Sequence, residues 1–159
     1  MNRWLMKTPT ALALMGALAL GACDDDGTGV EDDHGEDVEG VVLTLNGAEL
    51  ARYDGDSGTW SNAVSIEEGD ETAHIDVDFV DDAGNPVALD PDTYLEVTVD
   101  DETIAEFEQD IPGEFGGHIK GATAGTTLME FSLMHGAVGS GHADFITNDL
   151  TVTVTVPVV

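Results

Sequence analysis

Residues 72–80 read TAHIDVDFV, and apolar and polar side chains alternate along this segment with a period of two. In an extended chain, successive side chains point to opposite faces of the sheet. One face then carries Ile75, Val77 and Phe79, and the other carries His74, Asp76 and Asp78. The alternation predicts a β-strand with one face in a hydrophobic core and the other in solvent.

Similar short alternating segments recur along the chain and are separated by turn residues. Val41–Leu45 is followed by Asn46-Gly47, the strongest short-range signal of a β-hairpin. Thr59–Ile66 can form another strand, and Val87–Leu89 resumes an extended run after a turn. There are about nine strand candidates and no convincing helical period, with turn signals about every 8 to 12 residues. The pattern predicts one all-β domain over residues 41–159, built as an antiparallel β-sandwich.

Three short segments carry a family resemblance. Residues 79–87, FVDDAGNPV, are similar to the "D-x-x-G-N-P-V" turn of bacterial immunoglobulin-like domains. Residues 103–107, TIAEF, and 119–127, IKGATAGTT, resemble the signature of the group-2, invasin-like branch of these domains. The resemblance covers roughly residues 72–156. It implies an Ig-like Greek-key β-sandwich, a fold used in adhesins, surface proteins and spacer modules.

The N-terminal segment has the features of a processing signal and a tether. An apolar stretch, Ala11–Leu20, is too short to span a bilayer, which needs about 20 residues. It ends at Leu20-Gly21-Ala22-Cys23, which resembles the lipobox of bacterial lipoprotein precursors. The resemblance implies a cleaved signal peptide over residues 1–22 and a lipid attached to Cys23, so that the membrane is one partner. Residues 23–40 are predicted to be an acidic, disordered tether.

Charge and cysteine content limit the chemistry of the mature chain. All 33 acidic residues lie after Cys23, where only Arg52 and Lys120 are basic, so the mature net charge is near −31. Such a surface attracts cations and repels nucleic acid and anionic lipid headgroups, which excludes both of the latter as charge-driven partners. Because Cys23 is the only cysteine, an internal disulfide and a metal site built on thiolate are also excluded.

One glycine-rich segment, residues 134–145 (MHGAVGSGHADF), joins two predicted strands. If these strands form a hairpin, His135 and His142 face each other near its base, with opposed Cα atoms about 5 Å apart. Asp144 lies two residues after His142 and should project from the same face. Two imidazoles and a carboxylate suit zinc or a similar divalent ion, which predicts a metal site at these three residues. In the alternative, structural interpretation, His135 ends a core strand, His142 binds a loop carbonyl and Asp144 caps a turn.

Two other polar groups have weaker metal-binding potential. The polar face of residues 74–78 is interpreted as solvated, and it would join His118 in a metal site only if their strands are neighbours. Asp54 and Asp56 lie in an acidic loop that could bind calcium irregularly, although the loop lacks the glutamate that an EF-hand requires.

The chain contains no recognisable catalytic nucleophile, phosphate-binding loop or HExxH motif, so no enzymatic activity is expected. The leading hypothesis is a lipid-anchored cell-envelope module, at the periplasmic face or the cell surface, whose Ig-like sandwich contacts an envelope protein or a glycan. The second hypothesis is a divalent-metal-binding lipoprotein that uses His135, His142 and Asp144. Fold alone does not decide between them.

Overall fold

The computed structural model describes residues 38–158, in which the chain forms eleven β-strands and no helix. In chain order the strands are β1 (Gly40–Leu45), β2 (Ala48–Asp54), β3 (Thr59–Trp60), β4 (Val64–Glu67), β5 (Ile75–Val80), β6 (Thr93–Val99), β7 (Ala105–Glu108), β8 (Gly116–Gly121), β9 (Gly125–His135), β10 (His142–Ile146) and β11 (Leu150–Thr155). The predicted signal peptide and Cys23 lie outside the described residues, as does most of the predicted tether. Within the last part of that tether, Val38 is already buried in the core.

The strands form two sheets that share one hydrophobic core. The first sheet has the order β3-β2-β1-β5-β8-β7, and the second has the order β10-β9-β11-β4, with β6 also paired to β9. Among the described strand pairs, β4 and β11 are parallel and the others are antiparallel. The prediction of an all-β sandwich is confirmed, and the parallel pair is the one departure from a wholly antiparallel arrangement of these strands.

Strand β5 lies inside the first sheet, between β1 and β8, and its two faces differ as predicted. Ile75, Val77 and Phe79 are at most 3% exposed. Asp76 and Asp78, which alternate with them, are exposed. The alternation therefore determines which face of this sheet meets the core and which face carries carboxylates.

Asn46 and Gly47 close the predicted hairpin between β1 and β2. Their φ angles are 52° and 76°, in the left-handed region that a two-residue type I′ turn requires at both central positions. Glycine adopts this region without steric cost, and asparagine does so more readily than most residues. The predicted hairpin is confirmed by the antiparallel pairing of the two strands.

The core is organised around Phe131 of β9, whose side chain has no exposed surface. Its ring contacts those of Trp60 and Phe107, and the ring centroids lie 5.6 Å apart in each pair. Trp60 belongs to β3 and Phe107 to β7, which are both in the other sheet. One group of aromatic side chains therefore joins the two layers of the sandwich.

Thr147 completes the backbone hydrogen bonds of Phe131. The residue lies between the end of β10 and the start of β11 and is 2% exposed. The Phe131 N–H donates to Oγ1 of Thr147, and the Thr147 N–H donates to the Phe131 carbonyl oxygen, both at 3.0 Å. A buried backbone group left without such a partner would cost about 1–3 kcal/mol.

The prediction of one strand over Thr59–Ile66 is wrong, because the chain changes sheets within this segment. β3 pairs with β2 in the first sheet, whereas β4 pairs with β11 in the second. Side chains between them form local hydrogen bonds: the Arg52 N–H donates to the Ser61 hydroxyl, and the Asn62 amide donates to the Leu50 carbonyl. These bonds occupy the edge of β2 and end its pairing with β3.

The segment Val87–Leu89, predicted to be extended, forms no strand of its own. One isolated bridge, between Val80 and Pro86, links this region to β5, and the Val87 N–H donates to the Phe79 carbonyl oxygen at 2.9 Å. Proline has no N–H group and therefore cannot continue a ladder. The apolar side chains of the segment still pack against the core.

The turn that precedes this segment is organised by Asp81. Its carboxylate accepts hydrogen bonds from the backbone N–H of Asn85 at 2.7 Å and from the Asn85 side-chain amide at 3.1 Å. These bonds stabilise the ionised carboxylate and hold the pKa of Asp81 below its ordinary value of 3.8. Gly84 completes the turn with a φ of 78°.

Replacing Phe131 by alanine should destabilise the protein by about 3–5 kcal/mol, because it removes a fully buried ring that contacts both sheets. The free energy of unfolding, measured by urea denaturation, tests this. Val156, which is 66% exposed, provides the control, and Val156→Ala should change stability by less than about 0.5 kcal/mol. Similar losses for both variants would contradict the assignment of Phe131 to the core.

Candidate functional site

The β9–β10 hairpin brings His135 and His142 together at its base. His135 is the last residue of β9, His142 is the first of β10, and the two are direct antiparallel partners. Their imidazole rings stack, with centroids 5.4 Å apart and planes inclined by 22°. Two connector glycines, Gly136 and Gly139, have φ angles of 107° and 80°, which side chains rarely allow. The predicted juxtaposition of the two histidines is present.

Asp144 reaches both histidines because β10 contains a β-bulge. Ala143 pairs with Met134 and Phe145 pairs with Leu133, so Asp144 is the additional residue opposite this step of β9. A bulge bends the strand and changes the direction of the side chain at that position. The Asp144 side chain is 6% exposed.

The Asp144 carboxylate lies between one nitrogen of each imidazole. Its Oδ1 is 3.2 Å from Nε2 of His142, and its Oδ2 is 3.5 Å from Nδ1 of His135. Within residues 38–158, Oδ2 is buried and accepts no hydrogen bond. One ligand atom from each of the three residues lies within 4.8 Å of the other two. The group could therefore hold a single metal ion.

Asp92 orients the ring of His135. Its Oδ2 lies 2.9 Å from Nε2 of His135, and an ionised carboxylate can only accept a hydrogen bond. In a neutral imidazole, Nε2 is therefore protonated and Nδ1 presents its lone pair towards Asp144. Metal-bound histidines commonly have a carboxylate on their second nitrogen in this way. No sequence pattern pointed to Asp92, which comes beside His135 through the pairing of Thr93 with His135.

The structural interpretation of these residues finds less support in their contacts. Within the described chain, His142 contacts the Asp144 carboxylate and the His135 ring rather than a loop carbonyl. Asp144 contacts two imidazoles rather than the backbone of a turn. His135 does end a core strand, as that interpretation expected, but its ring nitrogens face carboxylates.

A second group of histidines and carboxylates lies on the polar face of the six-stranded sheet. β5 and β8 are neighbours with Ile75 opposite Gly117, which brings the preceding His74 beside His118. Their rings meet edge to face, with centroids 5.3 Å apart. Asp110 follows β7, and its Oδ2 is 3.4 Å from Nδ1 of His74 and 3.5 Å from Nε2 of His118. This group also offers three ligand atoms within 4.8 Å of one another.

Asp76 and Asp78 are exposed, as the interpretation of residues 74–78 as a solvated face expected, whereas His74 is partly buried. The condition for a metal site was that the strands of His74 and His118 are neighbours, and this condition is met. The carboxylate that joins them is Asp110, whereas Asp78 lies further along β5. Sequence alternation gave no signal for Asp110, because it lies in a loop after β7.

The protonation of His118 is linked to the backbone. Its Nδ1 is 3.0 Å from the carbonyl oxygen of Thr72, and a carbonyl only accepts, so this nitrogen carries a proton. The bond to Thr72, opposed by partial burial and assisted by Asp110, raises the pKa of His118 above its ordinary value of 6.5. This stabilisation is present below the unfolded pKa and is lost as the pH rises through the folded pKa.

The acidic loop at residues 54–58 has a structural role. Oδ1 of Asp54 accepts a hydrogen bond from the Ser57 N–H at 3.0 Å, and the Gly58 N–H donates to the Asp54 carbonyl oxygen at 2.8 Å. Neither group with metal-ligand spacing in the described residues includes Asp54 or Asp56. Calcium binding in this loop stays a prediction.

Comparison with solved structures finds similarity to the crystal structure of domains 4 and 5 of the S-layer protein SbsC. The two chains are 19% identical with a TM-score of 0.43, and the match covers 60% of this chain and 48% of that chain. This chain thus spans about half the length of the solved chain. No protein-family model and no curated protein matches the chain. Among the described residues, no helix has the length and apolar character needed to cross a membrane.

In metal-free protein, His118 should titrate above pH 6.5, because protonation is favoured by the Thr72 carbonyl and by Asp110. Asp110→Asn removes the negative charge of Asp110 and should lower the midpoint of the His118 titration. NMR of the imidazole nuclei measures this midpoint. Asp78→Asn makes the same change of charge further along β5 and should leave the midpoint unchanged. A wild-type midpoint at or below 6.5 would be inconsistent with the hydrogen bond to Thr72.

Proposed function

We propose that this protein is a divalent-metal-binding module of the bacterial cell envelope, with His135, His142 and Asp144 as the metal ligands. The observation that carries the proposal is the convergence of two imidazoles on a carboxylate that is almost fully buried. The proposed role is non-enzymatic. The three residues form a ligand set, and the function of the site is to bind the metal.

The buried carboxylate supports a cation at this position. Burial of an ionised carboxylate is unfavourable unless charge or hydrogen bonds compensate it, and Oδ2 of Asp144 has no hydrogen bond within residues 38–158. While both imidazoles are neutral, they offer lone pairs but no positive charge to this carboxylate. A divalent ion bound to all three groups would supply that charge and use those lone pairs.

The donor set also indicates the class of metal. Two imidazoles and one carboxylate suit zinc and other first-row divalent ions, whereas calcium and magnesium prefer oxygen ligands. Because His142 is 72% exposed, one side of the site is open to water or to a group from a partner. The net charge of the chain, −29, would raise the local concentration of cations.

Asp144→Asn should remove the zinc-dependent stabilisation that the hairpin site gives to the full-length, tag-free protein, while the metal-free variant remains as stable as the wild type. The substitution keeps the side-chain volume and removes a buried charge. Thermal unfolding with EDTA and with added zinc measures both quantities. At 100-fold excess over Kd, a site that binds only the folded state should contribute about 2.7 kcal/mol.

The matched control is Asp149→Asn, which removes an exposed carboxylate five residues later and should leave the zinc effect unchanged. The variant with His135→Ala and His142→Ala should lose the zinc-dependent stabilisation that comes from the hairpin, as Asp144→Asn does. Elemental analysis provides an independent check. Zinc content below about a tenth of an equivalent, with no uptake on titration, would contradict the proposal.

The proposed location in the envelope rests on Cys23, which lies outside the described residues. The lipobox-like segment supports attachment of acyl chains at this position, and several chains on one residue give stable membrane anchoring. Cys23→Ser should abolish incorporation of labelled fatty acid and move the protein from the membrane to the soluble fraction in a bacterial host. Membrane association that persists in this variant would argue against the lipid anchor.

A second candidate function is an Ig-like interaction module that contacts an envelope protein or a glycan. Two exposed apolar side chains favour it: Ile111 is 66% and Val138 is 58% exposed, and Gly113 packs close to Val138, so the two loops are neighbours. A module of this kind would bind its partner equally well with EDTA and after Asp144→Asn. A metal-dependent module would lose binding under both conditions.

A further inference from the structure

We infer that His74, His118 and Asp110 form a second divalent-metal site, which is separate from the β9–β10 hairpin. The site lies on the polar face of the six-stranded sheet and uses two histidines and one carboxylate. It does not depend on metal binding by the hairpin, since the two groups share no residue.

The first support is geometric. The register of β5 and β8 places two imidazoles side by side, and the loop after β7 adds a carboxylate. One oxygen atom, Oδ2 of Asp110, lies within 3.5 Å of a nitrogen on each imidazole. The three donors therefore come from three separate elements of the fold, β8, the loop after β7 and the residue before β5, and converge on one point.

The second support is the orientation of His118. Because Nδ1 donates to the Thr72 carbonyl, the other nitrogen, Nε2, carries the lone pair of the neutral ring. That nitrogen is the one that faces Asp110. A backbone carbonyl on the far nitrogen is a common way to hold a metal-binding histidine in the correct tautomer.

The third support is the space provided by Gly116. A Cβ atom at this position would overlap the His74 ring at Nε2 and crowd the Ile75 carbonyl oxygen. Glycine therefore lets the imidazole lie directly against β8, beside His118. The His74 ring is held by packing as well as by its contacts with Asp110 and Asp76.

Local charge favours a cation over two neutral rings. Oε1 of Glu71 is 3.5 Å from Nδ1 of His118, and Oδ1 of Asp76 is 3.8 Å from Nε2 of His74. Lys120 is nearby but forms ion pairs with Glu71 and Glu108. The donor set matches zinc, cobalt or nickel, and the exposure of Asp110, 63%, leaves positions for water on the metal.

Cobalt titration of full-length, tag-free protein, followed by absorption and calorimetry, tests the inference. The wild type should bind about two equivalents, and the variant with His135→Ala and His142→Ala should retain about one. Adding Asp110→Asn to that variant should weaken the remaining site by at least about 10- to 100-fold, the loss seen when even an outer-shell partner is removed. Asp78→Asn, which removes an exposed carboxylate of β5, is the matched control and should change nothing.

Binding of no cobalt by the His135→Ala, His142→Ala variant would overturn the second site, as would an Asp110→Asn change without effect. Failure of the hairpin proposal gives a different result: the wild type would bind about one equivalent, and the substitutions His74→Ala and His118→Ala would remove it. His34→Ala controls for the remaining histidine of the chain.

A measurement on the unaltered protein avoids any effect of substitutions on folding. In side-chain nitrogen NMR, added zinc should shift the resonances of Nε2 of His118 and of one nitrogen of His74. Nδ1 of His118 should stay protonated because it donates to the Thr72 carbonyl. Unchanged resonances for both residues at saturating zinc would reject the site.

Discussion

Strand β9 is hydrogen-bonded to three other strands, and both the hydrophobic core and the hairpin site depend on it. β6 pairs with one edge of β9. β10 pairs with the C-terminal part of the other edge, and β11 pairs with its N-terminal part. Where β10 ends and β11 begins, Thr147 satisfies both backbone groups of Phe131. The same strand that buries Phe131 ends four residues later at His135. Packing of β9 in the core therefore fixes the position of His135, the first of the three candidate ligands.

Few basic side chains are available to balance the carboxylates beside the two pairs of histidines. The full sequence has 33 acidic and four basic residues, and both described cations, Arg52 and Lys120, form ion pairs with glutamates. A bound divalent cation would supply the missing charge. The benefit is greater at Asp144, which is 6% exposed, than at Asp110, which is 63% exposed.

The sequence predicts those contacts whose partners are close in the chain. The faces of β5, the β1–β2 hairpin and the pairing of His135 with His142 all follow from alternation and short connectors. A period of two specifies which face is buried but not which strand is the neighbour, so the change of sheets between β3 and β4 had no signal. Asp92 is 43 residues from His135, and only strand register relates them. Asp144 approaches the two histidines as predicted, but it does so through a β-bulge and not through regular alternation along the strand.

The loop after β7 connects the two histidine groups through β6. The Gln109 side-chain amide donates to the carbonyl oxygens of Leu95 and Glu114, at 3.2 and 2.7 Å, and the Leu95 N–H donates to the Gly113 carbonyl. Because Leu95 belongs to β6, the loop that carries Asp110 is fastened to the strand that directly follows Asp92. Asp92 and Asp110 are therefore both positioned by β6, Asp92 directly before the strand and Asp110 in a loop that is hydrogen-bonded to it. One strand thus helps to place a carboxylate beside each pair of histidines.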